Sequence, residues 1–237
     1  MEINYLIGLV GLIIASICDL KDREINDCIW IFMTIFGFLY WGYFSFLMHN
    51  FIYIGYSIVG FIVCFVIGYI MFLFGVGGGD GKLLMGLGAL IPKYKMPIFT
   101  PFGSLLNVSL IPSFPLMVLI NAMFFSIIIP LIIFLKNMAK SVKPETKKEF
   151  ICMFIGEKMK VATAKEKERL IMGTQDNINF LPSAEDACNF LKFDDNEEVW
   201  ATPAIPFAVP LLISYVITPY IGDKIIYMLL SMLGLSL

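Results

Sequence analysis

Along the first 135 residues, long uncharged apolar runs alternate with short charged breaks. Ile3 to Cys18 holds 16 residues without a charge, short for a membrane crossing unless Met1, Glu2 and Asp19 lie in the interfaces and add length. No Lys or Arg precedes this run, and Ile17 stands where a cleavable signal would need a small residue, so the run reads as a first transmembrane helix. A polar loop follows from Asp19 to Asp27, with six charged side chains among nine. Cys28 to Met48 then gives 21 uncharged residues rich in aromatics, enough for about 30 Å of helix. Trp30 and the cluster Tyr40, Trp41 and Tyr43 suit the two interfacial belts. Phe51 to Gly79 crosses again, with its usable helix ending near Phe74.

The third run ends in a break, Gly75 to Lys82, where five of seven residues from Gly75 to Gly81 are glycine. Each glycine costs about 1 kcal/mol relative to alanine in a helix interior, so the spacing predicts a broken helix at Gly77 to Gly79. Leu83 to Pro92 is short for a span, although a broken helix packed inside the protein permits one. Lys93 and Lys95 mark the far side, and a proline-containing loop leads to a helix from about Leu116 to Leu135, kinked near its end by Pro130. Val199 to Gly222 is the last clear span, and Ile225 to Leu237 is too short to cross alone.

Composition agrees with this pattern. The chain is 59% hydrophobic and 15% charged, outside the range of ordinary soluble domains. Of its 36 Lys, Arg, Asp and Glu residues, 23 fall between Lys136 and Glu198, 11 basic and 12 acidic. That segment is a near-neutral, water-exposed insert, which excludes a polyanion-binding patch and gives no reason to expect a nucleic-acid partner. Within it, Glu149 to Gly156 is expected as a strand, Glu166 to Met172 as a short helix and Glu197 to Ala201 as a strand. The expected organisation is a membrane domain over residues 1–135, a cytoplasmic insert over 136–198, and a final helix with a C-terminal extension over 199–237. The fold class is all-α, a polytopic membrane protein of about six transmembrane helices with a small cytoplasmic α+β insert. Lys21, Arg23, Lys82 and the basic residues of the insert fall on one side, against Lys93 and Lys95 on the other, which makes the first side cytoplasmic and puts the N-terminus outside.

Two crossings separate Asp19 from Asp80, so both emerge on the same, cytoplasmic, face. If the two carboxyls approach, like charge and desolvation make them share a proton at physiological pH. One then serves as general base on a water while the other polarises a peptide carbonyl, the chemistry of an aspartic protease. Five cysteines without a C-x-x-C pair indicate neither a zinc site nor a disulfide framework. His49, the single histidine, has no acidic or histidine partner nearby in sequence. No metal and no cofactor are expected.

Gly77-Gly78-Gly79-Asp80-Gly81-Lys82-Leu83 resembles the G-x-G-D-x-K-L motif of the membrane aspartyl proteases of the type IV prepilin peptidase family. Asp19, followed by Arg23, Ile25 and Asn26, resembles that family's first catalytic segment. The resemblance covers residues 3–91, and the later spans match in hydropathy alone. It departs from the bacterial pattern, since the chain lacks the early cysteine-rich loop and has Asn26-Asp27 where Pro-Asn is frequent. The compact length and late insert look more like the archaeal preflagellin peptidase branch. The resemblance implies Asp19 and Asp80 as the catalytic pair and Gly77 and Gly79 as structural motif residues. It implies a substrate that is a preflagellin or type IV pilin-like precursor with a short cationic leader, cleaved after a Gly on the cytoplasmic face of the plasma membrane. Asp22, Glu24 and Asp27 could meet leader Lys or Arg, or simply be solvated. Arg23 and Lys82 have a possible electrostatic role, and Lys82 could pair with a carboxylate or serve as a positive-inside anchor.

Two other function classes use the same features. An ion- or proton-coupled transporter would bind its ion at Asp19 and Asp80 on discontinuous helices. A non-catalytic scaffold would recruit a partner through the polar insert.

Overall fold

The computed structural model describes residues 3–21, 24–73, 77–93, 112–167, 169–174, 177–180, 193–202, 207–232 and 234. Its contacts divide the chain into two units, residues 1–125 with 206–237, and residues 126–205.

In the first unit, α1 (Ile3–Lys21), α2 (Asp27–Leu47) and α3 (Ile52–Leu73) are each long and apolar enough to cross a membrane. Their buried faces are rich in small and polar residues, with a few large ones such as Leu12, Met33 and Trp41. On α1 these are Asn4, Tyr5, Gly8, Gly11, Leu12, Ala15 and Ser16, at helical spacing, while Leu6, Val10, Ile13, Ile14 and Ile17 point outward. On α3 the buried stripe is Ser57, Gly60, Cys64 and Gly68. Small residues facing inward and aliphatic ones facing outward is the arrangement a lipid solvent favours, because burying Leu gains nothing over leaving it in hydrocarbon.

The 13-residue α4 (Gly78–Leu90) fills the groove between α2 and α3 and is buried along most of its length. At about 20 Å it is too short to span a bilayer. Its depth depends on close backbone approach: a Cβ on Gly88 would lie 2.5 Å from the Gly60 carbonyl oxygen, and one on Gly81 would lie 3.0 Å from Gly68 Cα. Its C-terminal carbonyls, unpaired within the helix, are met by side chains from three neighbours. Ser57 Oγ donates to the Ala89 carbonyl at 2.7 Å, and Trp41 Nε1 and Asn4 Nδ2 donate to the Leu90 carbonyl at 2.9 and 3.2 Å. Of the break expected at Gly77 to Gly79, Gly77 is the N-cap of α4 and Gly78 and Gly79 already belong to that helix, while α3 ends at Leu73.

The apolar stretch Phe114–Ala139 is also long enough to cross. It is interrupted at Ile127 between α5 (Phe114–Ser126) and α6 (Ile128–Ala139), three residues ahead of Pro130, where the ring opposes the preceding carbonyls. The last apolar run is split between a strand ending at Ala201 and α9 (Ala208–Ile221). α9 turns at Gly222, which has φ 58°, into α10 (Lys224–Met232) with a bend of 83°. Counting that bent pair as one, the described residues hold four or at most five candidate spans in a mostly helical fold.

α9 packs antiparallel on α1 through two tyrosines whose rings stack at 4.7 Å, Tyr5 and Tyr215. Tyr215 Oη donates to the Tyr5 carbonyl at 2.9 Å, and Tyr5 Oη to the Tyr215 carbonyl at 3.3 Å. Pro219, inside α9, has no N–H to give that second carbonyl, and Tyr5 supplies a donor instead.

The second unit holds α6, α7 (Lys147–Ile155), β1 (Glu157–Lys160), α8 (Val161–Glu166), β2 (Ile171–Gly173) and β3 (Glu198–Ala201). Its antiparallel sheet has the order β1-β3-β2. Along β3, Trp200 joins Cys152, Met153, Met172 and Ile178 on one face, and Val199 and Ala201 join Val161, Ala164 and Ile171 on the other. The strand expected at Glu149 to Gly156 is instead α7. Thr146 caps it, its Oγ1 accepting the Glu149 N–H at 3.2 Å while Glu149 Oε2 accepts the Glu145 N–H at 2.8 Å. The helix expected at Glu166 to Met172 lies earlier, as α8, and Ile171 and Met172 are in β2. The strand expected at Glu197 to Ala201 is present as β3.

Candidate active site

Asp19 lies in the last turn of α1 and Asp80 in the first turn of α4, two helices in contact. Asp80 is mostly buried, and the Asp19 carboxyl is near enough to interact with it electrostatically. Two observations distinguish the two side chains. Asp19 Oδ2 accepts the backbone N–H of Ala208 at 3.2 Å, so the first turn of α9 directs an unpaired amide and the positive end of its dipole at this carboxylate. Asp80 Oδ1, in contrast, is buried and has no hydrogen-bond partner among the described residues. Asn4 Oδ1, Ser113 Oγ and Asn121 Oδ1 are in the same position, so what sets Asp80 apart is a carboxyl oxygen with a second carboxyl nearby.

The glycines around Asp80 are packed to fit. Gly77 is the N-cap of α4, contributes no side-chain cap, and a Cβ there would sit 3.5 Å from Asp80 Oδ2. A Cβ on Gly79 would lie 3.1 Å from Ile25 Cδ1, so any larger residue would press the α1–α2 connection away from α4. Lys82 Nζ sits 2.6 Å from Asp27 Oδ1, and the same oxygen accepts Trp30 Nε1 at 2.9 Å. Of the two roles open for Lys82, pairing with a carboxylate is therefore present, and the carboxylate is Asp27. Asn26 Oδ1 caps α2 by accepting the Cys28 N–H at 2.9 Å. Glu24 is exposed, and Asp22 and Arg23 lie outside the described residues.

Sequence reasoning missed three contributors. The Ala208 amide is 189 positions from Asp19, and only a helix-initiating run after Pro206 hinted at it. Gly68 and Gly81 were visible as glycines but not as partners. Ser16, one turn before Asp19, donates to the Ala208 carbonyl at 3.1 Å and so fixes the residue whose amide meets Asp19. Among the described residues no group of three or more His, Cys, Asp or Glu side chains is placed to share a metal ion.

Residues 6–135, more than half of the chain and including both aspartates, match the sequence profile of the type IV leader peptidase family. The chain belongs to the type IV leader peptidase family. Its relatives in that family include the preflagellin peptidase of Methanocaldococcus jannaschii, 63% identical over 98% of this chain and 100% of the relative. The preflagellin peptidase of Methanococcus maripaludis strain C6 is 53% identical over 94% and 97% of the two chains. That of Methanococcus voltae is 46% identical over 97% and 100%. Similarity therefore runs through the polar segment and the last helices, well past the residues 3–91 on which the sequence resemblance rested. The chain is a protease of this family, and its apolar helices give it a multi-pass membrane character. The transporter reading finds no support in these relatives.

Proposed function

We propose that this chain is an aspartic endopeptidase that removes the short cationic leader from a preflagellin or type IV pilin-like precursor, cutting after a Gly on the cytoplasmic side of the plasma membrane. The observation that carries the mechanism is the buried Oδ1 of Asp80, without a partner among the described residues, with the Asp19 carboxyl as its electrostatic neighbour. Full-length identity to three preflagellin peptidases supports the substrate class.

In the proposed reaction Asp19, held by the Ala208 amide, takes a proton from a water. The resulting hydroxide adds to the carbonyl carbon of the scissile bond. Asp80, carrying the shared proton, gives it to the carbonyl oxygen, which forms a neutral gem-diol. Collapse of the diol breaks the C–N bond as the proton on Asp19 passes to the leaving amine and one diol hydroxyl returns its proton to Asp80. The dyad is thereby restored with one proton, and the leader's new carboxylic acid gives its own proton to the freed amine, leaving as a carboxylate.

The same reading takes α1, α2, α3, α4, the α5–α6 stretch and α9 as six membrane-embedded elements in a lipid bilayer, with the N-terminus outside and residues 136–198 as a cytoplasmic insert. The distribution of Lys and Arg supports that orientation. To test it, purified protein is incubated with a preflagellin, and the product is identified by mass. A product shortened by its leader, with a new N-terminus directly after Gly, is expected. Intact substrate, or cleavage elsewhere, would contradict the reading.

A further inference from the structure

The first turn of α4 has little means of holding itself in place. Its N-cap Gly77 contributes no side chain, and of residues 78–82 only Asp80 and Lys82 have one. Glycine weakens a helix by about 1 kcal/mol per residue, so the turn that carries Asp80 is intrinsically the softest part of α4. If Asp80 is used for chemistry, Lys82 is the one remaining side chain that can anchor the turn.

What it anchors to is firm. Asp27 lies in the first turn of α2, behind the Asn26 cap, and the indole N–H of Trp30 bonds to the oxygen that meets Lys82. Contacts on either side fall in register. Ile25 meets Gly79, Asp27 meets Lys82, and the Trp30 carbonyl lies 3.3 Å from where a Cβ on Gly86 would be, so residues 25–30 run parallel to 79–86. Of these three contacts, the ion pair alone is directional. The other two are van der Waals contacts against glycine, which permit sliding.

Resting on the Asp19 and Asp80 peptidase reading, we propose that the Asp27–Lys82 ion pair is a tether that holds the Asp80-bearing turn in register. Both are then positioning residues for the reaction and not contacts for the cationic leader. Asp27 Oδ1 is already committed to two donors, and that argues against Asp27 as the leader's partner. Both side chains of the pair are about half exposed. Such a pair contributes little to global stability, whereas a displacement of about 1 Å at a reacting group lowers rates up to ~100-fold.

The test uses the full chain in detergent as Lys82→Met, Asp27→Asn, the double variant, and Lys82→Arg as the charge-preserving control. Cleavage is followed on preflagellin and on preflagellin whose leader Lys and Arg are replaced by Gln. Hydrogen exchange at Gly78 to Lys82 is measured on the same samples. Each single neutralisation should lower kcat roughly ten-fold and leave KM within about two-fold on both substrates. The double variant should lose no more than the worse single, exchange at Gly78 to Lys82 should rise in all three, and Lys82→Arg should retain most of kcat. Losses that multiply, or unchanged exchange, would overturn the tether. A KM effect in Asp27→Asn that vanishes with the neutral leader would overturn it in favour of leader binding. If wild-type protein fails to cut preflagellin, the peptidase reading fails, and the exchange measurement still decides whether the pair holds the turn.

Discussion

The two units differ in the surface they present. In residues 1–125 with 206–237 the helices meet at Gly, Ser, Asn and Ala as well as at large side chains such as Leu12, Trp41, Leu87 and Phe114, and the outward faces of α1, α2 and α3 carry Leu, Ile, Val and Phe. In residues 126–205, α6 also turns Ile128, Leu131, Ile132 and Leu135 outward, but beyond it the interior is Trp200, Met153, Met172, Ile171 and Val199 and most of the described charges are exposed. The difference is the one that lipid around the first surface and water around the second would produce. Where the surroundings are hydrocarbon, helices associate by close contact and side-chain hydrogen bonds; where they are water, apolar area leaving solvent does the work. Buried carbonyls as far in as Leu90 have side-chain donors in the first unit, and of the buried side-chain oxygens there with no partner among the described residues, those of Asn4, Asp80, Ser113 and Asn121, Asp80 alone is a carboxylate.

The contrast can be broken most severely at Trp200. Trp200→Ala should cost the second unit about 3–5 kcal/mol by leaving a cavity between α7 and the sheet, and it also removes a donor from Glu149. Limited proteolysis should cut within residues 126–205 far faster than in wild type. Equal rates would mean that this unit is not held by its core.

A smaller effect is expected from a single methyl group in the first unit. Gly88→Ala forces a Cβ against the Gly60 carbonyl and Cys64 Sγ, and overpacking of that kind costs about 1–3 kcal/mol. Gly55→Ala, on the facing helix α3 with nothing within 4 Å of the added Cβ, is the control. Thermal unfolding in detergent should separate the two variants, and equal midpoints would sink the close-approach account of α4.

The third effect is electrostatic and confined to the second unit. Burial alone would raise Glu149, but the Glu145 N–H, Trp200 Nε1, Lys158 and Thr146 outweigh it and hold its carboxyl below the ordinary glutamate value. Glu157 is likewise held low against burial, by Lys136 Nζ at 2.7 Å and Arg169 Nη1 at 3.1 Å. A carboxyl lowered on folding contributes stability that is complete above its unfolded value and lost as the pH falls through its folded one. The unit should thus hold at neutral pH and weaken on acidification below about pH 4. Trp200 fluorescence followed through an acid titration reports it, and Glu149→Gln should flatten that acid limb. An unchanged limb would mean that Glu149 has no part in it.

What could be read from the sequence depended on how local the physics was. The hydropathy of α1, α2 and α3 and the glycine break before α4 are legible because each needs only neighbouring residues. The Asp19 contact with Ala208, the carbonyl donors Ser57, Trp41 and Asn4, and the Gly60–Gly88 approach join residues 28 to 189 positions apart, and no periodicity encodes such partners. Glu149 to Gly156 reads as a strand because its interior is apolar with β-branched and aromatic members. Thr146 and Glu149, a capping pair three apart, were the signal for the helix it forms. In the last run the three strand residues Val199 to Ala201 are as apolar as the helix that follows, so hydropathy alone merged them.

The central claim is that Asp19 and Asp80 act as one catalytic pair, and single-turnover cleavage of preflagellin by Asp19→Asn, Asp80→Asn and the double variant tests it most directly. Since each Asn keeps the shape and removes one member of a unit, each single variant should lose cleavage as completely as the double, at wild-type membrane insertion. Full activity in either single variant, or a double variant much worse than both, would contradict the pair.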